Sequence, residues 1–488
     1  MIFENLKALS SYGEIIAGSK SEEKIKNKIK EILEESVDEI RIIPIRVLYW
    51  NQKDLLIECD GNKIEGVALP YSLPFDIEAK ITDKIDNCNN KFIKIKLQKL
   101  NEIDKYYIQA VEHDCLGVIF SLDNEIRKYI IKYGELLSYK PSYPPPIPAF
   151  YVKLDDFSKI HEKCRILLQS EINPYAVGYI IEGIKNSKNE NKKIHVTAHH
   201  DHWFKGERQS LLPVSLLPEI RSNIYEIHLI SFTAENSGAP SFSTFSWSYG
   251  SRTFLQKNIN NDQIFININI DKISEENIII KTVPGLSQIV KKIYGNISIE
   301  PEIFTANYSY IKNGIPSINI GSIENPHCHS DYDEISNENS KVIVNAKEIG
   351  NLINKIVNNS IEYNTHEMRE YVKNLLKTLP PTIRSYVINL SDKLGSENSD
   401  VYRNILKFYG GIFTFDNSST SVYLFHKLKG LDYAKDSKRI CIEDFICLNN
   451  LKDDENYKRY YIYFINELKE TITAEYINDI YSILKKFF

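Results

Sequence analysis

Residues 194–203 read IHVTAHHDHW, an apolar, β-branched run that ends in histidines grouped around one aspartate. The short apolar run predicts a buried strand. Histidines that follow such a strand beside an aspartate are typical of a metal site, because imidazole supplies the ligand nitrogen and a nearby carboxylate fixes the tautomer of the ring. The sequence therefore predicts a candidate metal site at the end of this strand.

The composition is that of an ordinary globular protein of several domains, with 488 residues, 42% hydrophobic and 26% charged. A net charge of −5 gives no reason to expect a nucleic-acid partner. No apolar run reaches the length of a membrane span, and residues 1–11 do not resemble a signal peptide. The 7 cysteines are scattered and form no Cys-x-x-Cys pair, so we expect reduced thiols and a cytoplasmic location.

Strand patterns alternate with helix patterns on both sides of the histidine cluster. The strands expected after residue 170 cover 176–184, 194–198, 226–232 and 264–271, and the helices between them cover 211–220 and 241–257. This alternation predicts an α/β fold, with a mixed, mostly parallel sheet and helices on both faces. His199, Glu235 and Asp271 each follow an apolar run, so we expect them to meet at the carboxyl edge of the sheet.

Four short motifs carry residues suited to catalysis or metal binding. In chain order they are His199-x-Asp201, residues 232–238 (FTAENSG), residues 267–271 (NINID) and residues 327–333 (HCHSDYD). In order, spacing and neighbouring residues these motifs resemble the co-catalytic zinc exopeptidases of the aminopeptidase and glutamate carboxypeptidase kind. The resemblance covers roughly residues 1–50 and 170–360.

The resemblance implies a role for each matching residue. His199 and Asp271 would bind one zinc ion, with Asp201 orienting the His199 ring, and His329 would bind the second ion. Glu235 would act as the general base in the hydrolysis of an N-terminal peptide bond.

Two positions depart from the family pattern. Gln209 stands where the family has an aspartate that bridges the two ions, and Asn236 stands where it has a glutamate that binds the second ion. Two zinc ions roughly 3.5–4 Å apart repel each other and need a bridging anion, which a neutral amide does not provide. The first position would keep only two of the three protein ligands usual for catalytic zinc. We therefore expect at most one zinc ion, and a chain with none is compatible with the sequence.

The departures leave two functional hypotheses. The favoured one is a non-catalytic or impaired relative that binds peptides or a protein partner through the cleft that would hold the substrate of an active enzyme. The other is an active metallo-aminopeptidase that uses one metal, or a site rebuilt with Glu207, His200 or His202 as a substitute ligand. Arg208 would disfavour a metal by adding a cation nearby.

The expected domains are a zinc-exopeptidase-like core (residues 1–54 and 165–360), a small β-rich insertion (55–164) and a helical C-terminal region (361–488). The insertion resembles a protease-associated domain through Gly117–Phe120 and Ile147–Phe150. Cys328 is expected to be a small buried filler and His327 a surface or packing residue. The sequence does not indicate the oligomeric state.

Overall fold

A computed structural model describes residues 1–131, 145–187, 192–240, 247–257, 261–299, 305–368, 370, 403 and 406. Fourteen strands in this part of the chain form one continuous sheet. The strands are β1 Glu39–Cys59, β2 Asn62–Lys63, β3 Gly66–Ala68, β4 Phe75–Thr82, β5 Phe92–Lys96, β6 Gly117–Ser121, β7 Ala149–Val152, β8 Lys163–Lys185, β9 Lys193–His199, β10 Glu226–Phe232, β11 Ile264–Ile270, β12 Ile278–Thr282, β13 Ile297–Ser298 and β14 Ser317–Ser322. The helices are α1 Ile2–Ser10, α2 Lys20–Glu34, α3 Ile103–Glu112, α4 Leu154–Phe157, α5 Leu212–Leu216, α6 Tyr249–Lys257, α7 Ser287–Ile293, α8 Ala306–Lys312 and α9 Lys341–Val357.

The centre of the sheet is parallel, as the alternating pattern predicts. Strand β9 pairs in parallel with β10 on one side and with β11 on the other, and β11 pairs in parallel with β14. Nearly every residue of these strands is buried, because helices cover both faces. The mixed, mostly parallel α/β sheet is thus confirmed.

The helices of one face show the apolar spacing that the sequence carries. In α2, Ile25, Ile29 and Leu33 recur every four residues and are fully or almost fully buried against the sheet. The helix begins where the Ser19 hydroxyl accepts a hydrogen bond from the Glu22 amide at 3.0 Å, which is a standard N-cap. Helices α1, α5 and α9 bury apolar residues in the same core, while α6 packs on the opposite face.

Strand β8 is longer than the strand expected at 176–184. Strands β1 and β8 pair antiparallel along almost their whole lengths, from Glu39 opposite Ile184 to Cys59 opposite Cys164. One end of β8 also pairs with β10 in the core, and the other end pairs with β4. The proposed divisions at 54/55 and 164/165 therefore fall inside or at the end of these strands, and the domain boundaries stay a prediction.

Residues 62–152 add a smaller β layer to the edge of the sheet, in the order β4-β5-β6-β7-β3. Its strand residues Phe92, Val118 and Phe150 have no exposed side-chain surface. The layer also contains α3, which the sequence analysis did not predict. That helix buries Ile103 and Tyr107, four residues apart, against the layer.

The expectation of unpaired thiols is wrong for four cysteines. Cys59 is bonded to Cys164 across the paired ends of β1 and β8, and Cys88 is bonded to Cys115. Scattered spacing hid these pairs, because partners 105 and 27 residues apart come together only through the sheet. Disulfides are typical of oxidising compartments, so this finding removes the cysteine argument for a cytoplasmic location.

Replacing both Cys88 and Cys115 by serine should lower the free energy of unfolding by about 3–4 kcal/mol, because the bond closes a loop of 27 residues in the unfolded chain. Urea unfolding without reductant measures the effect. Asp83→Ser is the matched control, since Asp83 is exposed and lies in the same segment as Cys88, and it should change the stability by less than about 1 kcal/mol. Equal stabilities for the double variant and the unmodified chain would show that the bond does not form in the folded protein.

No helix among the described residues has the length and apolarity needed to cross a bilayer. The expected helical region, residues 361–488, lies almost entirely outside the described residues, as do Cys441 and Cys447.

Candidate active site

Three of the residues singled out in the sequence follow neighbouring parallel strands. His199 is the last residue of β9 and lies opposite Phe232, the last residue of β10. Glu235 follows β10 by three residues, and Asp271 directly follows β11. The structure thus brings these side chains together at the carboxyl edge of the sheet, where ligands gather in open α/β folds.

His199 lies between two carboxylates. Its Nδ1 is 3.5 Å from the Asp201 carboxylate and its Nε2 is 3.6 Å from the Asp271 carboxylate. Burial opposes a charge on the ring, but the two carboxylates outweigh it and raise the pKa of His199 to about 10. The arrangement attracts a positive charge, which is either a proton on the ring or a bound cation.

Asp201 also positions the loop that carries the candidate base. Its two carboxylate oxygens accept hydrogen bonds from the backbone amides of Glu235, at 3.0 Å, and Asn236, at 2.9 Å. Burial raises the pKa of Asp201, but His199 and these amides lower it by more and keep it below the usual value. Asp201 therefore stays ionised and fixes both His199 and the turn after β10.

Glu235 is held at the first turn of α6. Its carboxylate accepts hydrogen bonds from the Ser251 amide, at 2.7 Å, and from the Ser251 hydroxyl, at 3.2 Å. Burial raises the pKa of Glu235 to about 7, the range in which a carboxyl group can take and return a proton. Gly250 permits this packing, because a Cβ there would lie 1.9 Å from the Thr233 carbonyl oxygen.

The second half of the site is a network of neutral groups. The Gln209 side-chain amide donates to Nε2 of His329 at 2.8 Å and to the Asn236 carbonyl oxygen at 3.3 Å. Burial lowers the pKa of His329 to about 4, so its ring is neutral and accepts this hydrogen bond. The three side chains at the positions of the second metal are thus bonded to one another.

Cys328, which is expected to be a small buried filler, also contacts this network. Its thiol donates to the Gln209 carbonyl oxygen at 3.3 Å. Burial raises the pKa of Cys328 to about 12, which keeps the sulfur protonated and able to donate. His327 is half-buried and pairs with Glu125 at 2.7 Å, as expected of a packing residue.

Asp333 holds the segment that carries Gln209. Its carboxylate accepts hydrogen bonds from the backbone amides of Arg208, at 3.0 Å, and Gln209, at 3.3 Å. Burial outweighs these bonds and raises the pKa of Asp333 to about 7. The Arg208 side chain bonds to the Tyr332 carbonyl and to Glu275, so its charge is balanced there.

The three candidate substitute ligands are engaged elsewhere. Glu207 is buried, accepts a hydrogen bond from the Ile335 amide and lies 3.8 Å from the Lys7 ammonium group. Both ring nitrogens of His202 contact backbone carbonyls, of His200 and Gly13. His200 contacts the Ser231 hydroxyl at 2.8 Å and the Glu22 carboxylate at 3.5 Å. A site rebuilt through any of them requires these contacts to break.

The side chains fit one zinc position and not the other. In a tetrahedral zinc site, ligands about 2.0–2.2 Å from the ion lie roughly 3.4 Å from each other. The separation of 3.6 Å between His199 Nε2 and the Asp271 oxygen matches that spacing. The second position offers one imidazole and two neutral amides that already bond to one another.

Two contacts of this site have little or no signal in the sequence. Ser251 holds the candidate base, and no sequence pattern predicts that role. Asp333 holds the Gln209 segment, and its place in the motif at 327–333 is the signal for it. The edge of Trp203 packs on the His329 ring, with ring centroids 4.7 Å apart, so this residue forms a wall of the site.

Comparisons with known structures agree with the fold. The chain is similar to a peptidase M28 precursor from Shewanella amazonensis, with a TM-score of 0.62, 14% identity, and 74% of this chain and 94% of that chain covered. It is similar to a zinc aminopeptidase from Bacillus subtilis (TM-score 0.55, 18% identity, coverage 73% and 93%). An aminopeptidase from Aneurinibacillus sp. strain AM-1 gives a TM-score of 0.51, with 15% identity and coverage of 74% and 96%.

No protein-family model matches the sequence, and no curated protein matches it either. The structural likeness nevertheless extends over nearly the whole of the related chains. The protein therefore has the fold of the co-catalytic zinc exopeptidases.

Proposed function

We propose that this protein is an aminopeptidase-like protein with a degenerate metal centre, which binds at most one zinc ion and is impaired or inactive as a peptidase. The observation that carries the proposal is the bonding of Gln209 to His329 and Asn236. Buried polar groups are costly when they lack partners. Here the groups at the second metal position satisfy one another, so they need no cation to stabilise them.

The charge of the site supports the same conclusion. Two divalent ions would bring a charge of +4 to a buried site with three carboxylates, Asp201, Glu235 and Asp271. In the family pattern, none of these three carboxylates lies between the two metal positions. Without a bridging anion, the repulsion between the ions is not offset. The first position, with His199 and Asp271, is the one that retains suitable ligands.

An active single-metal aminopeptidase is the second candidate, and the retained half of the site favours it. Zinc at His199 and Asp271 would polarise the carbonyl of the scissile bond. Glu235, with a pKa of about 7, would take a proton from the attacking water and return it to the departing amine. Asp201 would hold the loop of Glu235 in place through its two backbone hydrogen bonds.

For the favoured candidate, the ligand would be a peptide or the free N-terminus of a protein partner. Buried carboxylates at the edge of a cleft suit the α-ammonium group of such a ligand. Glu235 and Asp271 provide them, and Trp203 adds an apolar wall. We expect the candidate active site to bind peptides without hydrolysing them.

One titration tests both parts of this proposal. A fluorescent aminoacyl reporter peptide is added to the full chain in the presence of zinc, and fluorescence anisotropy and released product are followed together. We expect saturable binding with a turnover far below the ordinary range of about 1–1000 s⁻¹, and the same residual rate in Glu235→Gln. The N-acetylated peptide is the control for recognition of the free amine. A turnover within the ordinary range that Glu235→Gln abolishes would favour the single-metal enzyme instead.

A further inference from the structure

A second group of metal-ligating side chains lies away from the carboxyl edge. Glu182 on β8, His195 on β9 and His228 on β10 are buried, and one ligand atom of each lies within 4.8 Å of the others. Among the described residues, no other group of three histidine, cysteine or carboxylate side chains meets that spacing. No sequence motif connects these residues, which come from three separate strands.

The group is separate from the candidate active site. His195 precedes His199 by four residues on β9, which places the two about 13 Å apart along the strand. His228 lies directly opposite His195 in the parallel pairing of β9 and β10, so the two side chains share one face of the sheet. Their rings stack, with centroids 4.8 Å apart.

The outer nitrogens of both rings are held by neighbouring groups. His228 Nε2 contacts the Glu226 carboxylate at 2.7 Å. Its Nδ1 is hydrogen-bonded to the Glu182 carboxylate at 2.7 Å, and an ion bound by both atoms would replace this bond and move them to roughly 3.4 Å apart. His195 Nδ1 contacts the Tyr310 hydroxyl at 3.0 Å, which leaves Nε2 as the other ring nitrogen able to act as a ligand. Histidine ligands of metals are commonly oriented in this way, by a carboxylate or another polar group on the far nitrogen.

The three side chains also line a cavity of about 260 Å³. Phe254 and Ile264 form part of its apolar wall, and Lys193 and Lys257 also line it. A water molecule occupies about 30 Å³ in the liquid, so the cavity has room for an ion and for water as a further ligand. Two imidazoles, one carboxylate and one water are a common ligand set for zinc.

We propose that Glu182, His195 and His228 form a second divalent-metal site, suited to zinc, at which a cation joins strands β8, β9 and β10 on the face covered by α6. The site is independent of the proposed function, because it shares no residue with the centre at His199. The zinc content of the whole protein would then be the sum of two sites, and only variants of each site can separate them.

The competing explanation is a hydrogen-bonded ion network without metal. His228 would then carry a proton between Glu182 and Glu226, and Arg41 and Lys193, which also line the cavity, would balance the carboxylates. Two features favour the metal. The stacked rings of His195 and His228 bring two ligand nitrogens and the Glu182 carboxylate within reach of one ion, and the cavity beside them has room for that ion and its water. Because Lys193 and Lys257 line the cavity, a third interpretation is that an anion binds there.

The test uses the full chain in the His199→Ala background, so that the carboxyl-edge site is removed. The protein is stripped with a chelator and titrated with Zn²⁺ against a chromophoric competitor, and with Co²⁺ for its tetrahedral absorption bands. We expect one equivalent of metal. We expect at least roughly 100-fold weaker binding after either His195→Gln or Glu182→Gln, since each removes one ligand, and no change after His161→Gln, a replacement of an exposed histidine.

Two independent variants keep the test decisive if one of them fails to fold, which circular dichroism reports. Metal binding that is unchanged in every folded variant, or absent from the His199→Ala protein, would overturn the proposal. Stabilisation by inorganic phosphate and not by zinc, read as a shift in Tm, would identify an anion site and would overturn it as well.

Discussion

Changing Gln209 to aspartate and Asn236 to glutamate should give the protein a second zinc ion at the carboxyl edge. Zinc affinity at that position should rise by at least roughly 10⁴-fold. Structural zinc sites with four ligands bind with about 10–16 kcal/mol, or about 3 kcal/mol per ligand, and this is roughly 100-fold for each carboxylate added. The new aspartate would also provide the bridging anion that two ions need.

The structure indicates that the two substitutions replace contacts and do not create cavities. Aspartate is one methylene shorter than Gln209, and glutamate one longer than Asn236, so the total side-chain volume changes little. The Gln209 hydrogen bonds to His329 and Asn236 disappear, which frees His329 Nε2 to act as a ligand. Asp333 keeps the segment in place through the backbone amides of Arg208 and Gln209, which the substitution does not alter.

Elemental analysis and competition titration measure the result. Both use the His195→Gln background, which removes the proposed site at Glu182, His195 and His228 from the zinc content. The matched control exchanges the two amides, as Gln209→Asn with Asn236→Gln, and it should leave zinc binding unchanged since no charge is added. Equal zinc content in the carboxylate variant and the amide control would contradict the charge argument and show that the backbone no longer places these positions around an ion.

The fold and the meeting of three candidate site residues were predictable because both depend on local patterns. Apolar runs predict the strands, and their alternation with helices places His199, Glu235 and Asp271 at one edge. This inference needs only the order of elements and the parallel direction of the strands. The interpretation of Gln209 and Asn236 as positions that lack a carboxylate rests instead on the resemblance to the zinc exopeptidases.

The remaining features depend on contacts between distant segments, which spacing does not reveal. Cys59 and Cys164 meet because β1 and β8 pair in one particular register, and no local pattern specifies it. The same holds for His195 and His228, whose proximity follows from the parallel register of β9 and β10. The contact between the Cys328 thiol and Gln209 is hidden from the sequence in the same way, because the two residues lie 119 positions apart.

In the variant with both carboxylates restored, hydrolysis of aminoacyl reporter peptides should increase well above the rate of the unmodified chain. Adding Glu235→Gln to that variant should then lower the rate by about 10²–10⁴-fold, the usual contribution of a general base. Glutamine keeps the shape of the side chain, and its single oxygen can still accept the hydrogen bond of the Ser251 amide, but it cannot take a proton from water.

Steady-state rates with saturating zinc measure this effect, and zinc content is determined for each variant so that loss of metal is distinguished from loss of the base. Glu324→Gln is the matched control, since Glu324 is exposed, and it should leave the rate unchanged. The retained position of Glu235, fixed by Asp201 and Ser251, is the physical reason to expect activity to return. A variant that binds two zinc ions and remains inactive would show that Glu235 lies outside reach of the attacking water, and that the centre has lost its geometry as well as its charge.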